Sequence, residues 1–222
     1  MSKFVLIDGH SILNRAFYGV PIFTNSEGLH TNAVFGFLNI MFKIIDSKQP
    51  DYMAVAFDVH KPTFRHEMFK DYKGTRKPMM EELREQVPVI KELLQKMNIT
   101  TVELPGYEAD DVIGTLSKKG EKASMEVDVI SGDRDLLQLA SDHITICIPK
   151  TKKGQTTVEE YNTEGVMKLY KVTPTEFIDV KALMGDSSDN IPGVPGIGEK
   201  GATAIISQFG SIENAYDHAD EI

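Results

Sequence analysis

Short runs rich in β-branched and aromatic residues alternate along the chain with segments whose apolar positions recur every three or four residues. The runs KFVLID (3–8), DYMAVAFD (51–58), ITTVEL (99–104) and MEVDVIS (125–131) predict strands, while 33–47, 80–97 and 109–119 predict helices. Strands separated by helices indicate βαβ units, hence an α/β fold with a mainly parallel central sheet flanked by helices on both faces. Within 80–97, Leu83, Val87, Ile90, Leu93, Leu94 and Met97 recur at helical spacing, and Pro88 is expected to kink that helix. After about residue 172 the pattern changes. TPTEFIDVKALMG reads as a helix, and NIPGVPGIGEKGATAII turns through glycines into another helix beginning near Glu199. Residues 1–172 are read as the α/β domain and 173–222 as a small helical module.

With 222 residues and 41% hydrophobic content the chain can bury a substantial core. No apolar run approaches the ~20 residues of a membrane span, and MSKFVLIDGHS lacks the long apolar stretch of a signal peptide, so a cytoplasmic protein is expected. The single cysteine, Cys147 in ITICIP, excludes an intrachain disulfide and reads as a buried strand residue. A formal net charge of −9 argues against a nucleic-acid partner only if the charge is evenly spread, and it is not. Between Phe64 and Pro78 five Lys or Arg residues stand against two acids, interleaved with Phe64, Phe69 and Tyr72. Such a segment offers phosphate contacts and stacking faces, although a solvated surface segment has the same composition.

The acids carry the chemistry. Asp8 ends the first predicted strand, Asp58 ends the second, and Asp133 follows the fourth after one glycine, with Asp135 two residues on. In a parallel sheet these positions share the rim where ligands bind. An Asp capping the following helix would account for any one of them taken alone. In GYEADD an unbroken helix would turn Asp110 away from Glu108 and Asp111, so convergence of the three requires the stretch to straddle a loop and a helix start. Pro105 and Gly106 supply such an entry. GDSSDN adds Asp186 and Asp189. Oxygen-only ligands suit Mg²⁺ or Mn²⁺ rather than zinc, and two such ions would compensate carboxylates that cannot all ionise side by side. In GVPGIGEKGA, Gly193, Gly196 and Gly198 form a turn that can present backbone N–H groups to a phosphate, and a helix–hairpin–helix turn fits it better than a dinucleotide fingerprint, because no strand precedes it.

LIDGHSILNRAFY, FDVHKPTFRHEMFKDYKGTRKP, ELPGYEADDVIG, ISGDRDLLQL and LMGDSSDNIPGVPGIGEKGA together resemble the 5′ nuclease (flap endonuclease-like) family, in the order that family shows, from residue 5 to about 202. The resemblance is closest to the N-terminal 5′ to 3′ exonuclease region of bacterial DNA polymerase I. It implies a PIN-like or resolvase-like α/β fold with a helical arch at about 64–80, a helix–hairpin–helix module, and metal-dependent hydrolysis of DNA near a 5′ end or flap in primer removal and repair. By motif, Asp8, Asp58, Glu108, Asp110, Asp111, Asp133, Asp135, Asp186 and Asp189 are implied as holders of two Mg²⁺ or Mn²⁺ ions. Lys73 and Arg76 are implied at the scissile phosphate, and Arg15, Arg65, Tyr72, Lys200 and the three glycines at the DNA, with K⁺ expected at the glycine turn. Gly201 stands where the family commonly has Thr, and the helical module is expected to be truncated. A monomer working beside nucleoid DNA, with a polymerase region in a longer chain, completes the expectation. Two other readings stay open: a DNA-binding fragment with negligible cleavage, and a PIN-type ribonuclease. IDGHS lacks the second nearby Asp of a haloacid-dehalogenase-type phosphatase.

Overall fold

Along residues 1–59, 61–152 and 155–221, which the computed structural model describes, the chain starts with β1 (Lys3–Asp8), α1 (Gly9–Gly19), α2 (Asn32–Lys48) and β2 (Tyr52–Ala56). It continues through α3 (Phe64–Met68), α4 (Glu81–Arg84), α5 (Gln86–Lys96), β3 (Thr100–Val102), α6 (Ala109–Lys122) and β4 (Glu126–Ile130). A 3₁₀ segment, η1 (Arg134–Leu139), precedes β5 (Ile144–Lys152) and β6 (Gln155–Tyr161), and α7 (Thr163–Tyr170), α8 (Glu176–Met184), α9 (Glu199–Phe209) and α10 (Ile212–Asp217) follow. His60 of the FDVHKP motif lies outside the described residues.

The sheet order is β3-β2-β1-β4-β5-β6. Every neighbouring pair is parallel except β5 with β6. The chain therefore moves outward from β1 through β2 to β3, then returns to place β4 on the other side of β1. That reversal opens a crevice beyond the carboxyl ends of β1 and β4, the position at which parallel sheets bind ligands.

Burial on both faces explains why β1 reads as an unbroken apolar run. Val5 and Ile7 pack with Phe37, Met41, Ile90 and Leu94 on one side. Leu6, between them, joins Ile113, Val129, Leu137 and Phe177 on the other. Each such side chain stabilises the fold by about 1.5–3 kcal/mol relative to exposure.

Two local features differ from the expectation. The helix read over 80–97 is not kinked within Pro88's own turn but interrupted at Glu85, between α4 and α5. A proline ring collides with the carbonyl four residues earlier, here Arg84, the last residue of α4, while its missing N–H costs nothing in the first turn of α5. β6 also goes beyond the strands read from the sequence, whereas Cys147 lies fully buried in a strand, β5, as expected.

Candidate active site

Four strand ends or the turns after them deliver acids to the crevice. Asp8 is the N-cap of α1 and accepts from the Ser11 amide at 3.0 Å and the Ser131 hydroxyl at 2.8 Å. Asp58, two residues past β2, accepts from the Ala109 amide at 2.8 Å, while its own amide donates to His10 Nδ1 at 3.1 Å. Asp133 caps η1 by accepting from the Asp135 amide at 2.8 Å. Glu108 is the N-cap of α6, with Asp111 completing a reciprocal capping box. GYEADD thus straddles a loop and a helix start, which lets Glu108 and Asp110 face the same cleft.

That cleft has a volume of about 520 Å³ and is walled by Asp8, Asp58, Glu108, Asp110, Asp133, Asp135 and Asp189, with Arg65, Tyr72, Lys73 and Arg76 opposite. Asp111 and Asp186 do not line it. Asp111 makes a bidentate pair with Arg65 at 2.8 Å on both arms. Asp186 accepts from the Ser188 amide and hydroxyl, at 2.8 and 2.6 Å, and from Lys181 at 3.0 Å.

The electrostatics divides these acids. Burial pushes the Asp8 carboxyl up to about 6, against its hydrogen bonds from Ser11 and Ser131 and with help from the charges of Asp58 and Asp133. Asp110 is driven well above the carboxylate range by burial, then by Asp8, Asp133, Asp58 and Glu108. Burial raises Asp135 as well. At Asp186 burial acts in the same direction, but the Ser188 and Lys181 bonds outweigh it and hold the group at about 2. Asp111 follows the same logic, since the Arg65 guanidinium overcomes burial and keeps it low. Hard, closely spaced oxygen donors that disfavour their own ionisation are the chemistry of a divalent-cation site. Among the described residues no three of them close as ligands around one point.

The basic segment is folded into the cleft. Lys73 has a left-handed backbone (φ 56°), its amide donates to the Asp189 carbonyl at 2.9 Å, and its Nζ donates to Glu108 at 2.8 Å. Arg76 pairs with Asp189 and donates to the Ser188 carbonyl at 3.2 Å. Tyr72 is buried, and its hydroxyl lies 3.0 Å from both Glu108 and Asp189, so it presents no open stacking face. Arg65 is spent on Asp111 and lies over the Phe64 ring at 4.6 Å. Arg15 sits behind Gly132, outside the cleft wall, with its guanidinium pKa lowered by burial.

At the glycine turn only part of the motif is free to face a ligand. Gly193 is packed, since a Cβ there would lie 2.3 Å from the Met184 carbonyl carbon. Gly196 has φ +85° and Gly198 is the N-cap of α9, and both have open space where a Cβ would project. Lys200 is exposed in the first turn of α9. Sequence reasoning missed His10, Ser131, Lys181 and Asn190. Of these Asn190 directly follows Asp189, and His10 and Ser131 lie two residues from Asp8 and Asp133, so only Lys181 stood apart from the residues already singled out.

The 5′–3′ exonuclease N-terminal resolvase-like domain matches residues 3–171, and the C-terminal SAM fold of the same family matches 172–222. DNA polymerase I of Bacillus caldotenax is 53% identical over 220 residues, and that of Bacillus subtilis 52%, each alignment covering 99% of this chain. The chain spans about a quarter of the length of these relatives, 25% in both cases. Among solved structures, the bacteriophage T5 5′-exonuclease with bound zinc is 27% identical with a TM-score of 0.76, covering 97% of this chain and 79% of that one. The catalytic core of Rad2 in complex with a DNA substrate, 19% identical at TM-score 0.64 and covering 99% of this chain and 66% of that one, shares the fold.

Proposed function

The chain belongs to the 5′–3′ exonuclease family, and from that premise we propose that its cleft hydrolyses DNA phosphodiesters at a 5′ end or 5′ flap using two divalent ions, Mg²⁺ or Mn²⁺. The observation that carries this reading is the convergence of Asp8, Asp58, Asp110 and Asp133 from four separate segments on one rim, with burial and mutual charge raising Asp8 and Asp110. These four, with Glu108, Asp135, Asp186 and Asp189, would hold the ions directly or through water, and Asp111 would serve by fixing Arg65 and the start of α6. Bound there, divalent ions supply Lewis-acid neutralisation of the phosphodiester and lower the pKa of an attacking water.

The chain's own cations do the positioning. Lys73 and Arg76, now held by Glu108 and Asp189, would turn to the phosphate oxygens and stabilise the charge that develops on them. The open backbone around Gly196 and Gly198, with Lys200 beside it, would hold the duplex backbone without reading bases, and its carbonyls could take K⁺. In a longer chain of the DNA polymerase I type, this region would remove primers and damaged 5′ ends ahead of synthesis. A monomer in the cytoplasm, acting on nucleoid DNA, fits that task, and no helix among the described residues is long and apolar enough to cross a membrane.

Matched 5′-flap and 3′-flap duplexes, each with DNA or RNA in the flap, test the reading when incubated with Mg²⁺. Cleavage of the 5′-flapped DNA with the 3′-flapped form intact is expected. Equal cleavage of both polarities, or preference for the RNA flap, would contradict it.

A further inference from the structure

The carboxylates of the cleft differ in what satisfies them. Asp8 accepts from Ser11 and Ser131, Asp58 from the Ala109 amide and Asp133 from the Asp135 amide, all neutral donors. Asp135 and Asp186 instead share an ammonium. Lys181, projecting from α8, places Nζ 2.9 Å from Asp135 Oδ1 and 3.0 Å from Asp186 Oδ2. The two acids come from different parts of the chain, one in η1 and the other just past α8, and this lysine bridges them. An ammonium seated between two carboxylates holds the electrostatic position that a hard cation would take, with directed N–H groups in place of metal–oxygen bonds.

We propose that Lys181 is a built-in competitor for the divalent ion at Asp135, on the cleft wall, and Asp186, just outside it, so that this position loads second and more weakly than the one formed by Asp8, Asp58, Asp110 and Asp133. The inference rests on the divalent-ion reading above. A lysine suits the role because its stem is flexible and its charge compact, so Nζ can withdraw to water without unwinding α8. The ion must overcome the attraction of both carboxylates for Nζ, a cost that Asp8, Asp58 and Asp133, bonded to neutral donors, do not carry.

Mn²⁺ titration of the DNA-free chain by calorimetry, with free Mn²⁺ followed by electron paramagnetic resonance, tests this. Two sites of unequal affinity are expected in the parent. In Lys181→Met the weaker site should tighten on the order of tenfold while the tighter one stays unchanged. In Lys181→Arg, which keeps the charge, the weaker site should remain weak. An unchanged or further weakened second site in Lys181→Met, or two equal sites in the parent, would overturn the proposal. If Lys181→Met fails to fold, the parent still decides by ¹⁵N resonance of the Lys181 ammonium. Its ordered signal should vanish as the second ion binds, and persistence of that signal with both ions bound would overturn the proposal. A parent that binds no Mn²⁺ at all would overturn the metal reading itself, a distinguishable result.

Discussion

Asp110 shows most directly how a single residue can be held at a cost to the folded state. Burial comes first and the charges of Asp8, Asp133, Asp58 and Glu108 add to it, all in the direction that disfavours its ionised form. A carboxyl whose folded pKa is raised stabilises the fold below its unfolded pKa and loses that contribution as pH rises through the folded value. Asp110→Asn should therefore raise the melting temperature in EDTA at pH 7.5 by a few degrees, with the gain shrinking toward pH 4. Asp8, pushed up to about 6, belongs to the same window. Thermal unfolding of parent and variant across that range checks it, and an Asp110→Asn protein less stable at every pH would contradict it. Gly193 and Gly196, alike in the motif, differ in the structure. Gly193→Ala forces a Cβ onto the Met184 backbone and should cost about 3 kcal/mol or more, whereas Gly196→Ala, strained only by its positive φ, should cost about 1–2 kcal/mol. Urea unfolding of the two variants measures the difference.

Among elements, the stretch from Asp71 to Arg76 is fastened to the turn after α8. The Asn190 side chain donates to the Asp71 carbonyl at 2.8 Å, from a left-handed backbone of φ 58°. The Lys73 amide, the Tyr72 hydroxyl and the Arg76 guanidinium all reach Asp189. Asn190→Ala removes one of these ties and should speed amide exchange in 71–76 several-fold while leaving β1 and β4 protected. Equal exchange in both proteins would show that the tie is idle. None of these contacts was legible in the sequence, because they join residues more than a hundred positions apart and depend on how α8 packs. Strand-end acids were legible for the opposite reason: a β-rich run and an aspartate at or just after its end, as at Asp8, Asp58 and Asp133, are local signals. Pro88 was visible as a breaker, but the point of the break belongs to Arg84, four residues upstream.

At the level of the whole molecule, an acidic protein of net charge −9 gathers Asp8, Asp58, Glu108, Asp110, Asp133, Asp135 and Asp189 in one cleft of a mainly parallel sheet and brings its basic segment against them. The order β3-β2-β1-β4-β5-β6 places β1 and β4 side by side at the reversal, which is why acids far apart in sequence share one cleft. The alternation of strands and helices made this sheet readable, whereas the antiparallel β6 was not read, because QTTVEEY is polar and fixed by pairing with β5. Lys73, Arg76 and Lys181 lie against these acids, and in the proposed reaction cations and DNA would take their places. The most direct measurement is cleavage of a 5′-flapped DNA duplex labelled on the flap strand, with Mg²⁺, with EDTA, and with Asp110→Ala in place of the parent. Product only with Mg²⁺ and an intact Asp110 is expected; product in EDTA, or undiminished product from Asp110→Ala, would contradict the assignment of this cleft as a metal-dependent nuclease site.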